Sequence, residues 1–66
     1  MRIITLAEAI AYVTRTETEW NGAASVEIGV CKYHAADGDN AYITVETASY
    51  NWDVWVQSNG TVYGEC

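Results

Sequence analysis

The sequence predicts an α+β fold: one N-terminal amphipathic helix packed on a four-stranded antiparallel meander sheet. Apolar residues recur with helical spacing in the first third of the chain, and from Gly22 onward the period changes to two. Turn signals break the alternating stretch into four strands, and the absence of proline suits strands that pair on both sides. At 66 residues the chain makes one domain, residues 1–66, with no linker or repeat.

Thr5-Leu6-Ala7-Glu8 is a capping-box pattern, with Thr5 as N-cap and Glu8 at the third helical position. Leu6, Ile10 and Val13, with Ala9 beside them, form an apolar stripe, and Glu8, Tyr12 and Arg15 fall on the opposite side. The next stripe position is Glu17, and Thr14, Thr16 and Thr18 are poor helix formers. The helix is therefore expected to end between residues 16 and 20, with Asn21-Gly22 closing it. Arg2 to Ile4 is a candidate short leading strand.

In the strands, Val26, Ile28 and Val30 alternate with Glu27, Gly29, Cys31 and Tyr33. Asp37-Gly38-Asp39-Asn40 is a turn cluster, after which Ile43 and Val45 alternate with Tyr42, Thr44 and Glu46. Beyond a break at Ser49-Tyr50-Asn51, Trp52, Val54 and Val56 alternate with Asp53, Trp55 and Gln57. Asn59-Gly60 favours a type I′ hairpin turn, and Thr61 to Glu65 closes the sheet with Val62 inward and Tyr63 outward. The expected core is Leu6, Ile10, Val13, Val26, Ile28, Val30, Ile43, Val45, Trp52, Val54, Val56 and Val62. The other face is then Glu27, Tyr33, Tyr42, Thr44, Glu46, Asp53, Trp55, Tyr63 and Glu65, with Lys32 as the one cation in reach. This phase turns Cys31 outward and puts Cys66 on the core side of the last strand, so no disulfide between them is expected.

Nine carboxylates oppose three basic side chains, for a net charge of −6, and residues 33–66 contain no Lys or Arg. A nucleic-acid backbone or an anionic membrane needs cationic side chains, so neither is an expected direct partner; a basic protein or protein complex is. No segment approaches the roughly 20 apolar residues of a membrane span. Glu8 interrupts the apolar run of Met1 to Val13 and no small-residue cleavage site follows, which predicts a cytoplasmic protein with reduced cysteines. On that reading Asn59-Gly60-Thr61 is a turn and not a glycosylation site.

No catalytic constellation is legible. Cys31 and His34 have a C-x2-H spacing, but a structural zinc site needs four ligands, and alternation points the two to opposite faces. Asp37-Gly38-Asp39-Asn40 lacks the twelve-residue ligand spacing of an EF-hand loop, and the five glycines form no phosphate loop. The expectation is no enzyme, no metal and no cofactor.

What remains is a binding surface. Aromatics ringed by charge have the character of an interface anchor. The candidate partner-binding residues are Glu27, Asp37, Asp39, Glu46, Asp53 and Glu65 as the charge, Trp55 as anchor, and Tyr33, Tyr42 and Tyr63 beside it. A domain of this length is about 28 Å across. One DNA strand of that length carries about 8 phosphates, so the carboxylates match a short nucleic-acid stretch. The layout resembles the small acidic anti-CRISPR proteins of phages, particularly inhibitors of type I effector complexes. The resemblance is carried by the Thr5-Leu6-Ala7-Glu8 opening and the closing hairpin Trp55-Val56-Gln57-Ser58-Asn59-Gly60-Thr61-Val62-Tyr63-Gly64-Glu65-Cys66. It implies a protein of the host-cell cytoplasm that binds a surveillance complex and stops target-DNA engagement, as a DNA mimic. The rival expectation is an adaptor or antitoxin-like module that binds through the aromatic face while charge keeps it soluble.

Overall fold

The computed structural model describes residues 3–22, 26–35 and 41–66. Thr5 caps helix α1 (Leu6–Asn21) in a complete capping box. The Glu8 N–H donates to Thr5 Oγ1 at 3.2 Å and the Thr5 N–H to Glu8 Oε1 at 3.1 Å. At the other end Gly22, at φ +89°, turns the chain out of the helix and donates its N–H to the Thr18 carbonyl at 2.9 Å. Ile3 and Ile4 form no strand: Ile3 is exposed, while Ile4 enters the core.

Four antiparallel strands follow in spatial order β1-β2-β3-β4: β1 (Ile28–His34), β2 (Tyr42–Thr47), β3 (Asn51–Val56) and β4 (Val62–Glu65). The helix packs across β2, β3 and β4. The core between them holds Ile4, Ala9, Val13, Ile43, Val45, Trp52, Val54 and Val56, with Tyr12, Cys31 and Val62 packed against it. The expected inward phase of β2, β3 and β4 therefore holds. Ile10 and Val26, expected in the core, are half-buried and do not belong to it.

The helix is rolled relative to the expected stripe. Ala9, Val13 and Glu17 are its buried residues, whereas Leu6 is 50% exposed. Tyr12, expected on the solvent side, lies over β4 and donates from its hydroxyl to the Gly64 carbonyl at 3.4 Å. The cause is Gly64: a Cβ there would stand 2.8 Å from Tyr12 Cε1, so only glycine lets the ring settle.

Glu17, whose place on the stripe seemed to end the helix, is wholly buried instead. Its Oε2 accepts from Trp52 Nε1 and from Thr47 Oγ1, both at 2.7 Å. Thr47 Oγ1 in turn accepts from the N–H groups of Ser49 and Tyr50, so the carboxylate anchors the β2–β3 turn. Oε1 has no hydrogen-bond partner among the described residues, an expensive arrangement for a buried polar atom.

Strand β1 breaks the expected phase. Ile28 pairs with Thr47 and Cys31 with Val45, so Gly29 and Val30 together oppose the single residue Glu46 in a β-bulge. One extra residue exchanges the faces of everything after it. Val30, expected in the core, is 67% exposed, and Ile28 keeps the helix side but stays 37% exposed. Cys31, expected outside, packs on the core. Cys31 and Cys66 are both free thiols and belong to opposite ends of the strand order.

The β3–β4 hairpin also departs from expectation. No described non-glycine residue has positive φ, which rules out type I′ at Asn59-Gly60. Gly60, at φ +86°, follows a turn in which its N–H donates to the Gln57 carbonyl at 2.9 Å. The Gln57 N–H donates to Thr61, as in a three-residue loop ending on a left-handed glycine. The Asp37-Gly38-Asp39-Asn40 turn lies outside the described residues.

Candidate partner-binding face

Residues directly opposed in an antiparallel pair share a face. Ile43, Val54 and Gly64 are aligned and buried, as are Val45 and Trp52, and they mark the helix side. The interleaved rows therefore point away from the helix. One row runs Lys32, Thr44, Asp53, Glu65 across all four strands, and the next runs His34, Tyr42, Trp55, Tyr63. A third pairs Glu46 with Asn51.

The ring row holds two pairs in contact. His34 stacks on Tyr42 with centroids 4.5 Å apart and 15° between planes, and Trp55 meets Tyr63 edge-on at 5.4 Å and 75°. These contacts leave Trp55 and Tyr42 half-buried, while Tyr63 on the edge strand is 39% exposed. His34 Nε2 reaches from the ring row to within 2.9 Å of Thr44 Oγ1 in the polar row, and that hydroxyl lies 3.2 Å from Asp53 Oδ1.

Asp53 and Glu65 oppose each other directly, which places two carboxylates about 5 Å apart at Cβ. Glu46 lies diagonally from Asp53, at about 7–8 Å. Like charges in direct opposition destabilise a sheet, so the Asp53–Glu65 pair is a cost to the fold. All three side chains are exposed.

Of the expected site residues, Tyr42, Glu46, Asp53, Trp55, Tyr63 and Glu65 share this face. Glu27 precedes β1, exposed, and lines a shallow recess with Glu46. Tyr33 does not belong: the bulge sets it opposite Ile43 on the helix side, where it is 50% exposed beyond the cover of α1. Asp37 and Asp39 lie outside the described residues. Lys32 and His34 take the places that Cys31 and Tyr33 were expected to hold, so the face carries a cation and an imidazole at its β1 end. Alternation read straight through Gly29 hid them; the glycine inside the strand was the only signal of a bulge.

Among the described residues no group of three or more His, Cys, Asp or Glu is placed to hold a metal ion, and no helix is long and apolar enough to cross a membrane. Comparison with family models, with curated proteins and with solved structures found no match to this chain.

Proposed function

We propose that this protein is a non-catalytic inhibitor that binds a basic DNA-binding surface of a type I CRISPR surveillance complex and blocks target-DNA engagement by imitating DNA. The observation that carries the reading is the diagonal of Glu46, Asp53 and Glu65 beside a row of four rings. Charges held at sheet spacing on a rigid face meet a row of cationic side chains without reorganising, which favours fast association with a basic groove. The molecule measures 37 × 22 × 17 Å, longer than a globular estimate. One DNA strand spans that long axis with about 11 phosphates. Glu17 is buried and Glu8 caps the helix, while Glu46, Asp53 and Glu65 are exposed on the sheet face and Glu27 beside it.

A second reading, an adaptor that binds through apolar contact, is favoured by the ring row itself, because Trp55 and Tyr63 are the residue types that anchor interfaces. Target-DNA binding by a purified type I surveillance complex tests the first. The inhibitor reading expects rising amounts of the protein to abolish the DNA shift. Undiminished DNA binding at saturating protein leaves the adaptor.

A further inference from the structure

The most exposed tryptophan of the molecule is not on the sheet face. Trp20, 53% exposed, projects from the last turn of α1 and stacks on buried Trp52 at 5.4 Å and 28°. Beside it runs an open cleft of about 350 Å³ between α1 and the β4 edge, walled by Tyr12, Thr16, Trp20 and Tyr63, with Trp52 and Glu65 also lining it. Tyr12 stands nearly perpendicular to Trp52 at 6.0 Å and tilted to Tyr63 at 6.4 Å. Three rings, Tyr12, Trp20 and Tyr63, thus border one slot above buried Trp52, and Glu65 of the β4 edge lines it as well.

We propose that this cleft receives an arginine side chain of the basic partner, an inference that rests on the binding reading above and gives it an anchor point. Three observations converge on a cation. Ring faces and Glu65 both attract positive charge. The last turn of α1 carries no basic residue, so the negative end of the helix dipole at Trp20 is not offset there. The chain as a whole carries −6. A guanidinium in particular suits the slot, because it is planar, stacks on aromatic faces and binds a carboxylate side-on. The molecule already uses the pairing once: the Arg15 guanidinium rests 5.9 Å from the Tyr12 ring centre, and Arg15 does not line the cleft. Tyr63 and Glu65 belong both to the cleft and to the outer sheet face, so one partner surface can engage the two together.

The probe is acetyl-argininamide, titrated against the indole N–H resonance of Trp20, with neutral acetyl-citrullinamide as its isostere. The expected result is a saturable shift with the arginine compound and at least tenfold weaker binding of the citrulline compound. Glu65→Gln should weaken the arginine compound several-fold. Trp20→Leu, which removes the reporter and is therefore followed by titration calorimetry, should abolish the binding heat while the Trp55 indole resonance stays in place, showing that the sheet is folded. Equal shifts from both compounds, or no saturable shift, overturn the inference. The sheet-face reading fails separately: it falls if Asp53→Lys leaves partner binding unchanged, even where the cleft binds arginine.

Discussion

At the scale of single residues, Glu17 determines how the helix and sheet fit together. One carboxylate oxygen accepts from two donors in the core, Trp52 Nε1 and Thr47 Oγ1. Glu17→Ala strips both donors of their acceptor and opens a cavity, and should cost about 3–5 kcal/mol in urea unfolding. Glu17→Gln keeps an acceptor and the volume, and should cost well under half of that; equal losses would mean that the two hydrogen bonds contribute little. The tryptophans divide likewise. Trp52 is 1% exposed and Trp55 half-buried on the outer face. Trp52→Ala should cost about 3–5 kcal/mol and threatens folding, while Trp55→Ala should cost far less and act on binding. Thermal melts that fall equally would remove the distinction between the faces. The inward phase of Trp52 was readable from Val54 and Val56. The burial of Glu17 was not, because a charged residue on an apolar stripe ordinarily ends the stripe, and its partners lie 30 and 35 positions away.

At the scale of elements, local signals were reliable wherever the cause is local. The capping box, the Gly22 stop and the alternation of β2 and β3 all follow from neighbours in sequence. The roll of the helix and the phase of β1 do not. The roll is decided by the absence of a side chain at Gly64, where an added Cβ also meets Val54 Cγ2 at 3.1 Å. Gly64→Ala should therefore destabilise by about 1–3 kcal/mol. Combined with Tyr12→Ala, which makes room, the two losses should be less than additive in a double-mutant cycle. Strict additivity would separate the glycine from helix docking. The bulge at Gly29 and Val30 arises from pairing with β2, and a reading of β1 alone has no term for it. That single inserted residue is why Tyr33 left the candidate face and why Lys32 and His34 joined it.

At the scale of the whole molecule, charge separates what stabilises the fold from what serves binding. Asp53 and Glu65 stand opposed as like charges, a cost to the sheet, although Asp53 also accepts from Thr44 Oγ1 on β2. Asp53→Lys turns that pair into an attractive one and should raise the melting temperature slightly, yet weaken binding to a basic partner. A variant that loses stability would show that the Thr44–Asp53 hydrogen bond outweighs the repulsion between the two carboxylates. Most of the outer face was visible in the alternation of β2, β3 and β4. The cleft beside Trp20 was not, because it forms only where the helix end meets the β4 edge. The central claim is that the carboxylate face engages a basic surface that otherwise holds DNA. Its most direct test is the association rate of the protein with a purified type I surveillance complex at two salt concentrations, for wild type and for Glu46→Lys/Asp53→Lys. The account predicts fast wild-type association that slows steeply with salt, competition by target DNA, and strongly slowed binding of the double reversal. Association that is indifferent to salt, to DNA and to both reversals would contradict it.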